Sequence, residues 1–217
     1  MVKRKRTKTY LFTVEGETEK WYFEWLRNLI NNTEESFYKV SLKTTIQKNP
    51  LKYVKSLYNI YETDIYHFCD YESNEDCHVK NFKDTMSNLK AAKKLNKKID
   101  YRLGYSNFTF DLWIILHKMD CNGPKNHRDH YLAELNKSYN EHFENMDSYK
   151  SEDNFKRILG TLNLSNVTEA VKRAKSIMEE NKKHYKLHEC NGYKYYTNNP
   201  SLTVGEAVEQ ILMDCKL

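Results

Sequence analysis

Two apolar runs that each end on acidic residues constrain this chain more than any other feature. Leu11-Phe12-Thr13-Val14 leads into Glu15-Gly16-Glu17-Thr18-Glu19, and Ile65-Tyr66-His67-Phe68-Cys69 leads into Asp70-Tyr71-Glu72. Short apolar runs of this kind read as buried strands, and the segments between them carry apolar residues at helical spacing. Lys8 to Val14 predicts a first strand, after which Gly16 permits a sharp turn and Thr18 can cap a helix from Glu19 to about Ile30. Tyr38 to Thr45 alternates as a second strand. Asn49-Pro50 then opens a helix expected to carry Leu51, Val54, Leu57, Tyr58 and Tyr61. Ile65 to Asp70 is the third strand. A lysine-rich helix follows from about His78 to Asn96, with Phe82, Met86 and Leu89 inward, and Tyr101 to Tyr105 is the fourth strand. Strand and helix in alternation predict an α/β fold with a mainly parallel four-stranded sheet flanked by helices.

Beyond Tyr105 the pattern changes. Ser106 to His117 reads as a loop and then a largely buried helix. Further helices are expected at about 127–143, 152–159, 165–188 and 203–214, the last announced by Asn199-Pro200-Ser201 and a capping pattern from Thr203 to Glu206. No Pro/Gly/Ser-rich linker separates independent domains. The expected organisation is a basic arm at 1–8, an α/β core at 9–120 and a mainly helical C-terminal extension at 121–217 packed on that core as a single compact unit.

The net charge of +5 is matched by the arm alone, since Lys3, Arg4, Lys5, Arg6 and Lys8 have no acid among them. The rest of the chain is neutral by count, which excludes a uniformly basic nucleic-acid binder. Five cysteines at irregular spacings, with no signal peptide before them, favour reduced thiols in a cytoplasmic protein. No apolar segment approaches the length of a membrane span, so no membrane role is expected.

In a parallel sheet, ligands sit beyond the carboxyl ends of the strands, and Glu15 and Asp70 converge there if the first and third strands are close neighbours. Residues two apart on an extended segment share a side, which lets Glu72 face the same ligand as Asp70. Acidic oxygens in this arrangement suit Mg²⁺, or Mn²⁺, which keeps several waters and takes further oxygens from a substrate phosphate. Glu19, one helical turn from Glu15, is a candidate for a second ion or a base. Asp111, at the start of its helix, is a further candidate for the active centre, and Lys150 can reach a scissile phosphate as a point charge.

Other signals read as structural. His117 ends an apolar run and fits a packed or helix-end histidine, six residues from Asp111 and on a different face. Cys121, His127 and His130 lack a second cysteine at finger spacing, so no structural zinc is expected. Lys90, Lys93, Lys94, Lys97 and Lys98 read as a solvated helix face. Neither a Walker Gly-Lys-Ser/Thr nor a GxGxxG turn occurs, which argues against nucleotide hydrolysis by this chain.

With both acidic tips in place, the chain resembles a Toprim domain, whose motifs are a Glu-Gly after the first strand and an Asp-x-Asp after a later one. More specifically it resembles the RloB-like family, which includes the second component of the AbiL abortive-infection system. The resemblance rests on Val14 to Phe23, Asp70-Tyr71-Glu72, Ser106 to His117, Tyr149-Lys150, Ala170 to Lys175 and Asn199-Pro200-Ser201. It implies a Toprim-like catalytic centre with metal-dependent nuclease activity, Glu15, Asp70 and Glu72 as metal ligands, and a companion ATPase in bacterial antiphage defence. Three positions depart from the family pattern: Glu72 replaces the usual Asp and lengthens the ligand arm by one methylene, Asp111 replaces a more frequent Glu, and Phe108 replaces a Pro.

The resulting expectation is a Mg²⁺-dependent nuclease acting on RNA, such as tRNA, or on DNA, working with an ATPase partner and able to form a homo-oligomer. Two alternatives stay open. One is a non-catalytic docking or regulatory subunit of that ATPase, with the helix bearing Trp21 and Trp25 as its interface. The other is a primase-like or nucleotide-signal phosphotransfer enzyme.

Overall fold

The computed structural model describes residues 5–58, 63–95 and 98–217. The expectations for Lys3, Arg4, Tyr61, Asn96 and Lys97 therefore lie outside the described residues.

Four strands and their connecting helices follow the expected order: β1 (Thr7–Val14), α1 (Glu17–Asn32), β2 (Lys39–Ile46), α2 (Pro50–Ser56), β3 (Thr63–Tyr71), α3 (Asp76–Lys93) and β4 (Ile99–Asn107). The sheet has five strands among the described residues instead of four. Its order is β2-β1-β3-β4-β7, with β7 (Ser201–Leu202) pairing antiparallel to β4 and all other pairs parallel. A two-residue strand has no period to read, which is why the sequence pattern did not announce it. The long helix expected to reach 188 ends at His184, and His188 opens a small hairpin, β5 (His188–Cys190) with β6 (Tyr193–Tyr195).

Alternation along β3 separates two cores. Tyr66 and Phe68 face one side, where Phe12, Val14, Tyr22, Phe23, Leu26 and Ile30 pack; Ile65, Cys69 and Tyr71 face the other with Phe82, Met86 and Leu89. Helix α1 therefore covers one face while α2 and α3 cover the opposite one. The chain moves from β1 outward to β2, then crosses back over β1 to reach β3. That reversal places a topological switch point between β1 and β3.

The remaining helices are α4 (Asp111–Leu116), α5 (Tyr131–Tyr139), α6 (Met146–Tyr149), α7 (Glu152–Gly160), α8 (Leu164–His184) and α9 (Val204–Cys215). All of them contribute to the α1 side of the sheet. Each fully buried aromatic or aliphatic side chain there contributes about 1.5–3 kcal/mol. The helix expected over 127–143 begins as a 3-10 turn, Arg128–His130, and ends where Asn140 adopts the left-handed conformation. The second helix ends at Ser56, leaving Leu57 outside it and Tyr58 fully exposed. Its start is as expected, with Asn49 accepting from the Lys52 N–H at 3.1 Å and Pro50 next in line.

Thr203, expected to cap the last helix, and Asn199, expected to announce it, both do other work. Thr203 makes no side-chain cap for α9; its hydroxyl donates to the Leu103 carbonyl at 3.1 Å and accepts from the Tyr105 N–H at 3.0 Å, joining the start of α9 to β4. Asn199 clamps the backbone of Lys125, accepting from its N–H at 2.6 Å and donating to its carbonyl at 2.9 Å. In the basic arm, Lys5 donates to the Thr33 and Glu34 carbonyls and Lys8, already within β1, pairs with Asp214 at 2.6 Å. Lys90, Lys93, Lys94 and Lys98 are exposed, in keeping with a solvated surface. Among the described residues no helix is long and apolar enough to cross a membrane.

Candidate metal centre

Glu15 directly follows β1 and Asp70 is the penultimate residue of β3, so neighbouring parallel strands bring both acids to the carboxyl edge of the sheet. The Asp70 N–H donates to Glu15 Oε2 at 3.3 Å. Both residues line one cavity of about 230 Å³, together with Lys48, Glu72, His78 and Asn81.

Glu19 is turned toward these acids by the first turn of α1 and is only 6% exposed. The Thr18 hydroxyl donates to Glu19 Oε2 at 2.9 Å, so it serves this carboxylate and does not cap the helix, which starts at Glu17 with Gly16 as its N-cap. Gly16 lies in the expected bend, though not in a glycine-only conformation. Its backbone, φ −147° and ψ 179°, is extended and open to any residue. A Cβ there would lie 3.1 Å from Glu19 Oε2, so that carboxylate would have to give by a few tenths of an ångström.

Asp111 opens α4 and is 1% exposed. Its Oδ2 accepts from the Thr109 hydroxyl at 2.8 Å and from Lys150 Nζ at 2.9 Å, while its buried Oδ1 has no protein partner. Lys150 reaches it from the C-terminal end of α6. Two candidates from distant parts of the sequence are thus brought into one ion pair, on the wall of a second cavity of about 510 Å³ that Arg128 also lines.

The electrostatics join these groups into one cluster. Burial pushes Glu15 up to about 7; the Asp70 N–H and Lys48 oppose this, and Glu19 and Glu72 add to it. Asp70 is held well above the usual carboxylate range by burial and then by Glu19 and Glu15, with Lys150 pulling the other way. Glu19 is raised by burial, against the Thr18 hydrogen bond and Lys150. Burial alone would lower Lys150, yet Asp111, Asp70 and Glu19 outweigh it and keep the ammonium charged. Three acids, Asp111, Asp70 and Glu19, therefore act on the partly exposed Lys150 ammonium, while Glu15 adjoins Asp70 and is flanked by exposed Lys48. The hard oxygen donors of neighbouring acids beside one cavity fit a divalent cation such as Mg²⁺ or Mn²⁺, which would be held by Glu15 and Asp70.

Glu72 stands at the rim. It lines the same cavity, but its Oε2 lies 3.2 Å from His78 Nε2 and 3.9 Å from an Arg128 nitrogen. Among the described residues, the group of three whose ligand atoms all lie within 4.8 Å of one another is Glu75, Cys77 and His78, not Glu15, Asp70 and Glu72. Arg128, His78 and Lys48 escaped the sequence reading, because a lone cation in a polar loop or helix start gives no local signal of what it faces.

His117 is buried, with Nδ1 2.8 Å from the Trp113 carbonyl and Nε2 3.2 Å from the Tyr22 hydroxyl, and burial lowers it to about 4. Cys121 is buried apart from exposed His127 and His130, and the three form no metal-ligand group. Trp21 packs on Phe155 and Trp25 on Tyr22, so much of the aromatic surface of α1 is engaged within the chain.

A family model described as RloB-like protein matches residues 10–211. The chain belongs to the RloB-like family. No curated protein and no solved structure matches it.

Proposed function

We propose that this RloB-like protein is a divalent-metal-dependent nuclease that cleaves phosphodiester bonds in RNA, such as tRNA, or in DNA. The observation that carries the reading is the acidic cluster at the switch point of the sheet, where Glu19, Asp70 and Asp111 act on Lys150 and Glu15 adjoins Asp70 and Glu19. A structural role alone does not account for Glu15, Glu19 and Asp70 all held together with raised proton affinity, whereas perturbed carboxylates in a cleft are the mark of a chemical site.

Glu15 and Asp70 would hold the cation and Glu72 would complete its surroundings from the rim. When bound, a divalent ion neutralises charge on the phosphodiester and lowers the pKa of a bound water. The chain's own groups supply the rest. Lys150, oriented by Asp111, offers a positive charge to a non-bridging phosphate oxygen. Glu19, with its proton affinity raised by burial, is suited to accept the proton of an attacking water. Arg128, exposed beside Glu72, can take a flanking phosphate with its planar fork.

The family likeness adds a biological setting, an antiphage abortive-infection effector acting with a companion ATPase. The test is incubation of purified protein with RNA, with DNA and with nucleoside triphosphates, each with and without Mg²⁺ or Mn²⁺ and with and without that ATPase. Metal-dependent cleavage of a polynucleotide by the wild type, lost in Glu15→Ala and Asp70→Ala, is expected. Equal behaviour of all three proteins contradicts a catalytic site here, and turnover of nucleoside triphosphates alone favours the phosphotransfer alternative.

A further inference from the structure

A second cluster lies just outside the acidic centre, at the start of α3. Glu75 is the N-cap of that helix, and Cys77 and His78 occupy its first turn. Ligand atoms of the three lie within 4.8 Å of one another. In a tetrahedral zinc site, Zn–S and Zn–N distances place neighbouring ligand atoms roughly 3.3–3.8 Å apart. Rotations of Glu75 and Cys77, both exposed, and of half-buried His78 can close the difference without moving the backbone.

From this geometry we infer that Glu75, Cys77 and His78 form a binding site for a borderline-soft divalent metal, Zn²⁺ or Co²⁺, distinct from the oxygen-ligand centre. The ligand set decides the metal: a thiolate and an imidazole select against Mg²⁺, while three protein ligands on an exposed turn leave the fourth position to water. The framework is already fixed. The Val79 N–H donates to the Glu75 carbonyl at 2.9 Å, and the Ser73 hydroxyl accepts from the Glu75 N–H at 3.1 Å while lying 2.7 Å from His78 Nδ1. The Cys77 thiol points at Glu75, with Sγ 3.9 Å from Oε2, and on metal binding its proton leaves to solvent as the S–metal bond forms.

Its position gives the site a consequence. The two His78 nitrogens face Ser73 and Glu72, and His78 lines the cavity that holds Glu15 and Asp70. A metal that recruits His78 through Nε2 takes that imidazole away from Glu72 and alters the rim of the acidic centre.

Cobalt titration of the full chain, followed by absorbance, tests this. The wild type should develop a thiolate-to-cobalt charge-transfer band that one equivalent of Zn²⁺ abolishes. Cys77→Ser should lose the band, and His78→Asn should weaken Co²⁺ binding by at least about tenfold. Cys190→Ser and Glu15→Gln should keep it, which separates this site from the other partly exposed thiol and from the acidic centre. Absence of the band in the wild type, or its persistence in Cys77→Ser, overturns the inference and leaves the nuclease reading untouched. Circular dichroism confirms that the variants are folded.

Discussion

The backbone N–H of Asp70 donates to the carboxylate of Glu15 at 3.3 Å, linking residues 55 positions apart across the junction of β1 and β3. A charged acceptor strengthens such a bond, yet Glu15 still rises to about 7, so burial and its acidic neighbours outweigh the hydrogen bond.

The sign of the resulting pH dependence follows. An acid whose proton affinity is higher in the folded state contributes stability that is fully present below its unfolded value of 4.5 and is lost as the pH rises through about 7. For Glu15 the loss is on the order of 2–3 kcal/mol, with Asp70 acting in the same direction. Urea unfolding of metal-free protein at pH 5 and pH 8 should show the decline, and Glu15→Gln should flatten it. Added Mg²⁺ should restore more stability at pH 8 than at pH 5, where protons compete.

Lys150 is paired with a carboxylate that is 1% exposed. Lys150→Met leaves Asp111 charged and unpaired, and the partial exposure of the lysine holds the expected cost to roughly 1–3 kcal/mol. Lys150→Met with Asp111→Asn should recover most of that stability, yet not the cleavage activity. Denaturant melts of the four proteins of this cycle measure the coupling.

Gly16→Ala isolates the space beside Glu19. Its extended backbone accepts alanine, so the unfolding free energy should change by less than about 1 kcal/mol. The new methyl would press on Glu19 Oε2 and displace it from the cluster. Cleavage should fall about tenfold or more, a split between activity and stability that kinetics and melts on the same preparation will show.

Thr203→Val removes the two side-chain hydrogen bonds by which the start of α9 holds β4 and leaves the backbone bond from the Thr203 N–H to the Tyr105 carbonyl. Leaving the Tyr105 N–H without its acceptor costs about 1–3 kcal/mol. Hydrogen exchange should quicken at Tyr105 before it does in β1.

The parallel strands and the helices between them were legible because their periods of two and 3.6 residues are local properties. The acidic tips were legible for the same reason, since Glu15 and Asp70 each end an apolar run. What escaped depends on partners far along the chain. Ser201-Leu202 is a strand only because β4 lies beside it, Thr203 reads as a helix cap until Leu103 and Tyr105 are in view, and the cationic neighbours of Glu72, His78 and Arg128, come from other segments. Lys150 and Asp111 were each recognised singly, but their pairing needed the fold.

The central claim is that Glu15 and Asp70 share one divalent cation. Calorimetric titration of Mn²⁺ into the wild type, Glu15→Gln and Asp70→Asn at pH 8 tests it most directly, in a Cys77→Ser background that removes the thiolate ligand. The account predicts one site in the parent and a loss of affinity of at least about tenfold in each carboxamide variant. Binding of equal strength in all three proteins would contradict it.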